Sequence, residues 1–162
     1  MRALMSAELP DRPDPLTAPR RLAIVASRYN EDLVDGLIEG AVAELGIIAP
    51  GSDIEVVRVP GSFEIPFGVQ ALALRGGVDA IFAFGVIWEG QTRHAELIAT
   101  AVTNSLLDLS LRFKVPVLHE VLVFEEGEQA IARCTADSEL NRGTEAARAA
   151  VRMLTMLDEL RD

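Results

Sequence analysis

The chain has 162 residues, with 15 Lys and Arg against 25 Asp and Glu, and so a formal net charge of −10. That length implies one domain, and a chain that is 49% hydrophobic and 25% charged is not an intrinsically disordered one. The acidic balance, with no basic stripe, excludes a nucleic-acid-binding surface, although a local patch can still hold a small anion.

The longest apolar run, Ala80 to Trp88, falls well short of the roughly 18 residues a membrane span needs. The single cysteine, Cys134, excludes an internal disulfide and any multi-cysteine zinc site. Acids and prolines interrupt Met1 to Arg20, so neither a secretory signal nor a transit peptide fits, and a soluble cytoplasmic protein is expected.

Residues 1–20 carry Pro10, Pro13, Pro15 and Pro19 among charges, which predicts a Pro-rich arm or disordered tail rather than a helix. From residue 21 to 162 the punctuation is that of a single α/β domain. Leu22 to Ala26 reads as a strand buried on both faces. Leu33, Leu37, Ala41 and Leu45 then recur at helical spacing, with Asn30 as the expected cap and Gly46 as the expected stop.

Ile54 to Val59 is a more polar strand, and Pro66 sits in the first turn of a helix that ends at Gly76-Gly77. Ala80 to Ile87 is the most apolar strand. A long helix from Ala95 to Phe113 is closed by Pro116. Val117 to Val123 is a fourth strand, followed by helices near Glu128–Arg133 and from about Thr144 to Leu160. The alternation predicts a single-domain three-layer sandwich: a four-stranded, mostly parallel sheet with helices on both faces.

In such sheets ligands bind beyond the carboxyl ends of the strands. The segments there are Ser27-Arg28-Tyr29-Asn30, Pro60-Gly61-Ser62-Phe63-Glu64 and Glu89-Gly90-Gln91-Thr92-Arg93-His94. Gly90-Gln91-Thr92 runs into a helix, so it is either a phosphate seat or an ordinary threonine cap. His94 opens that helix as a candidate proton-transfer group, or as a histidine satisfied locally. Tyr29 and Phe63 are ring platforms or core aromatics, Glu64 grips a polyol or its own turn, and Trp88 suits an interface anchor.

Lys114 is the only lysine, so an imine between enzyme and substrate is disfavoured, and any imine nitrogen should come from a substrate. Two histidines, His94 and His119, without carboxylates at ligand spacing do not support a metal centre. Walker and dinucleotide-binding glycine patterns are absent. The residues alone give a cofactor-free site for a small phosphorylated or polar ligand.

Together these segments resemble the lumazine synthase family, and the likeness runs from Arg21 to Leu157. It rests on Ala26 to Asn30, Val59 to Pro66 and Gly85 to His94, joined by Glu128 to Arg133 and Asn141 to Ala147 in the same order. The resemblance implies condensation of 5-amino-6-(D-ribitylamino)uracil with 3,4-dihydroxy-2-butanone 4-phosphate to 6,7-dimethyl-8-ribityllumazine, without a cofactor. It implies that His94 transfers protons, that Tyr29 and Phe63 face the ring, and that Ser62 and Glu64 bind the ribityl chain. The backbone of Val86, Ile87 and Trp88 would read the ring edge. Gly90, Gln91, Thr92 and a neighbour's Arg133 would hold the phosphate.

It further implies sites shared between subunits of a homopentamer or larger assembly, with riboflavin synthase as a candidate partner. Three positions depart from the family pattern: Ala95 and His119 stand where aromatics are usual, and Arg142 where lysine is. The first two leave open a protein that holds a lumazine or flavin without turning it over. The resemblance still implies that His119 lines the substrate site from a neighbour, and it leaves Arg142 as an open site candidate. The glycine-free Cys134 to Leu140 connection favours a pentamer or decamer over a shell.

Overall fold

The computed structural model describes residues 8–161. Four strands, β1 (Arg21–Ser27), β2 (Asp53–Val59), β3 (Ala80–Trp88) and β4 (Val117–Phe124), form one sheet in the order β2-β1-β3-β4. All three pairings are parallel, so the mixed element allowed for in the sequence is not present among them. Five helices cover the sheet: α1 (Glu31–Ile48), α2 (Ile65–Arg75), α3 (His94–Phe113), α4 (Gly127–Cys134) and α5 (Arg142–Arg161).

The period-two alternation of the strands divides the core. Leu22, Ile24 and Ala26 of β1, with Phe82, Phe84 and Val86 of β3, face α1, α4 and α5. Ala23 and Val25, with Ile81 and Ala83, face α2 and α3. The inner strands β1 and β3 are therefore buried on both sides, while β2 and β4 form the half-covered edges.

Two expected helix signals fail. Gly46 does not stop α1, which runs on to Ile48, because its hydrogen atom faces open space and the apolar stripe continues through Leu45 and Ile48. Asn30 stands before α1 in a left-handed conformation (φ 60°) without capping it.

The described part of the arm is an extended segment held against its own protomer. Leu16 is buried and its amide donates to the Ile48 carbonyl at 2.8 Å. Arg12 grips the buried carboxylate of Glu44 through two nitrogens (2.9 and 3.0 Å), and Arg148 reaches the same carboxylate at 2.7 Å. These guanidiniums, Arg12 foremost, hold Glu44 below the usual carboxylate range.

Beneath α5, Glu120 of β4 sits half-buried between Leu118 and Leu122 and near the Arg142–Glu145 ion pair. Burial, reinforced by Glu145, pushes its carboxyl up to about 8. Such a group binds its proton more tightly in the folded chain, so stability falls as pH rises from about 4.5, its ordinary value, toward about 8. Glu120→Gln removes that slope, and urea unfolding at pH 8 should show the variant more stable by about 1–3 kcal/mol, with little difference near pH 4.

Candidate active site

With β1 and β3 adjacent, the chain leaves β1 for α1 on one face and β3 for α3 on the other. The loops part at that point and leave a crevice beyond the strand ends. A cleft of about 710 Å³ lies there, within the usual size of a small-molecule site. Its walls come from Tyr29 and Asn30 after β1, Gly61 to Glu64 after β2, Val86 to Trp88 at the end of β3, and His94, Leu97 and Ile98 of α3.

Close backbone approach shapes the first wall. A side chain at Gly61 would meet the Tyr29 ring at 2.8 Å, so the turn passes close against the ring. The Gly61 amide donates to Glu64 Oε2 at 3.0 Å, so Glu64 does bond its own turn, with one carboxylate oxygen. Ser62 is buried, and its hydroxyl occupies the space a Cβ on Gly85 would need, 2.5 Å away. Tyr29, Phe63 and Leu97 are each more than three-fifths exposed, a large apolar surface around one opening.

Asn30, read from sequence as a helix cap within a pocket-edge segment, ties two strand ends together. Its side-chain amide donates to the Val86 carbonyl at 2.7 Å, and its Oδ1 accepts from the Trp88 indole at 3.0 Å. The indole also packs against Phe124, with ring centroids 6.3 Å apart. The left-handed backbone turns Asn30 back across the sheet edge, a conformation asparagine tolerates better than most residues. Leu97 and Ile98 were also missed; their spacing from His94 on a helix that starts there was the available signal.

Gly90, Gln91 and Thr92 lie exposed in the loop leading to His94, beside the cleft rather than in its walls. Thr92 is not the cap of α3; Arg93 holds that position and no side chain caps the helix. The loop's surroundings are acidic. Glu89 is raised above the ordinary carboxylate range by Glu125, and Arg93, the basic residue of the loop, is paired with Glu96 at 3.2 Å.

Three expected residues stand apart from the cleft of their own protomer. His119, on β4, accepts the Val121 amide at Nδ1 (3.0 Å) and lies 2.7 Å from Thr103 Oγ1 through Nε2. The accepting Nδ1 places the proton on Nε2, and burial keeps the imidazole below its ordinary pKa. Arg133 is on α4, across the sheet from α3. Arg142 is paired with Glu145 at the start of α5. Among the described residues no cluster of His, Cys, Asp and Glu is placed to hold a metal ion, and no helix is long and apolar enough to cross a membrane.

A family model described as 6,7-dimethyl-8-ribityllumazine synthase matches residues 19–158. A 6,7-dimethyl-8-ribityllumazine synthase from Burkholderia multivorans is 42% identical over 146 residues, covering 88% of this chain and 82% of its own. The corresponding proteins of Burkholderia vietnamiensis and Burkholderia cenocepacia are 41% identical over the same length, covering 88% of this chain and 83% and 82% of theirs.

Trp88 is the only tryptophan, so its emission reports on this wall. Asn30→Ala should release the indole, shifting emission to the red and raising acrylamide quenching, at a cost of about 1–2 kcal/mol in stability. An unchanged spectrum would mean that the Asn30 bridge does not hold the ring.

Proposed function

The chain belongs to the 6,7-dimethyl-8-ribityllumazine synthase family, and on that premise we propose that the cleft between the β1 and β3 ends is where its reaction is carried out. Its activity is the synthesis of 6,7-dimethyl-8-ribityllumazine in riboflavin biosynthesis. The 5-amino group of 5-amino-6-(D-ribitylamino)uracil attacks the ketone of 3,4-dihydroxy-2-butanone 4-phosphate, and water leaves as the imine forms. Phosphate is then eliminated, and the ribityl-bearing nitrogen closes the ring with loss of a second water.

The side chains divide these tasks. Tyr29, close against Gly61, stacks on the pyrimidine, with Phe63 and Trp88 closing the apolar slot. Ser62 and the Glu64 oxygen not used by Gly61 take ribityl hydroxyls. Backbone groups from Val86 to Trp88 meet the ring edge. His94, at the mouth of the slot, takes and returns the protons that imine formation, elimination and closure require. Gly90, Gln91 and Thr92 offer backbone amides and a hydroxyl to the phosphate. Holding two reactants in register contributes several kcal/mol, about 7–11 at the extreme.

One observation carries the shared-site reading. The residues lining the cleft include no lysine or arginine, and the phosphate loop is flanked by Glu89, Glu96 and Glu125. A phosphate dianion there needs a cation from elsewhere. Arg133, on the far face of its own protomer, is the residue proposed to enter a neighbour's cleft, with His119 packing near the neighbour's ring. The exposed Phe63, Phe67, Leu107 and Leu111 of the turn, α2 and α3 support a homo-oligomer, proposed as a pentamer or decamer. The cytoplasm is the proposed location, and riboflavin synthase the proposed partner for the product.

Mixing the protein with both substrates and following lumazine absorbance against an enzyme-free control tests the activity. His94→Ala should lower kcat by about 10²-fold with the oligomer intact, and an unchanged rate removes its role. Arg133→Ala should raise KM for the butanone phosphate about tenfold or more while leaving KM for the pyrimidine within about twofold. Equal changes in both contradict the phosphate assignment.

A further inference from the structure

The last turn of α4 and the first turn of α5 meet α1 at one side chain, Asn141, which is fully buried. Its amide nitrogen donates to the carbonyls of Cys134 (3.3 Å) and Thr135 (2.9 Å) at the end of α4, and to Gly36 of α1 (3.0 Å). Its Oδ1 accepts the Thr144 amide at 3.0 Å. One side chain thus satisfies the orphan carbonyls that close α4 and an orphan amide that opens α5, and fastens both helix ends to a third helix.

The backbone around it is packed to contact. A Cβ on Gly36 would lie 2.0 Å from the Cys134 carbonyl oxygen, and one on Gly40 would lie 2.1 Å from Asn141 Oδ1. A Cβ on Gly143 would lie 1.9 Å from the Leu37 carbonyl oxygen. None of these positions tolerates a side chain without displacing a neighbour.

Helix α4 has few other ties, chief among them the Ser138 hydroxyl, which donates to the Ala132 carbonyl. Of its eight residues only Ala130 and Cys134 are buried, and its N-terminal position, Glu126, makes no side-chain cap. A rotation of α4 about its axis must shift the small buried side chains of Ala130 and Cys134 and break the bonds that Ser138 makes to Ala132 and Asn141 makes to Cys134 and Thr135. Arg133 immediately precedes Cys134 in the last turn of α4, so its backbone is held at that anchor.

We infer that Asn141 is a positioning residue for phosphate recognition: by clamping the end of α4 to α1 it aims Arg133 at the neighbouring cleft. The inference rests on the reading that Arg133 binds the substrate's phosphate. Asn141 touches no substrate, and its effect is transmitted wholly through α4.

The test is steady-state kinetics with each substrate varied at saturation of the other, on Asn141→Ser, Arg133→Ala and the double variant. Serine keeps a hydroxyl to cap α5 while losing the reach to α4 and Gly36. Asn141→Ser should raise KM for the butanone phosphate about tenfold, with KM for the pyrimidine changed less than about twofold. In the Arg133→Ala background the same change should add nothing to the butanone phosphate KM, a result that a merely structural role would not produce.

A multiplicative double variant, or equal changes in both KM values, overturns the inference while the Arg133 reading stands. A normal butanone phosphate KM in Arg133→Ala overturns both. If Asn141→Ser fails to fold by circular dichroism, Asn141→Asp provides the same comparison. It keeps an acceptor for the Thr144 amide while losing the amide donor to Cys134, Thr135 and Gly36, and absence of the selective KM rise there is equally fatal.

Discussion

Every strand of this sheet runs in the same direction, and the remaining geometry depends on that constraint. Parallel strands cannot be joined by tight hairpins, so each must return through a helix. Inner strands must then be apolar on both sides, as β1 and β3 are. All the post-strand segments emerge at one edge, where their polar groups escape burial. The order β2-β1-β3-β4 sends neighbouring connections to opposite faces, and the crevice between them opens a cleft at the strand ends without unpacking the core.

Charge completes the arrangement. The chain is strongly acidic, and most of its described arginines are engaged with carboxylates, as in Arg12 and Arg148 on Glu44, Arg58 on Asp35 and Arg75 on Glu55. The loop beside the cleft has excess carboxylate instead. A single chain therefore offers an apolar cleft with a histidine in its wall but no cation lining it. That imbalance is the physical basis for the proposal that a second chain completes the site.

Much of the fold was readable because burial leaves a periodic record. The apolar run from Ala80 to Ile87 and the helical spacing from Leu33 to Leu45 are records of this kind, and both correspond to observed elements. The Tyr29, Ser62–Glu64 and Val86–Trp88 groups were readable as one neighbourhood because strand ends share an edge. The failures came where tertiary contact overrode local chemistry. Asn30 and Thr92 look like caps, yet Asn30 spends its amide on a strand 56 residues away and Thr92 lies one position too early. Gly46 looks like a stop, but nothing opposes the helix there. The opposite face chosen by α4, which keeps Arg133 from its own cleft, has no local signature at all.

Cys134 lies at the end of α4, completely enclosed, with its thiol pushed to about 12 by burial and by the nearby Glu120. The thiolate is the reactive form toward alkylating reagents and oxidants, and here it is both scarce and inaccessible. For the purposes of chemical labelling the native protein therefore behaves as cysteine-free. A cysteine introduced at any exposed position would be the sole handle on each chain, so dyes, cross-linkers or cargo can be attached at chosen points without first removing a native thiol.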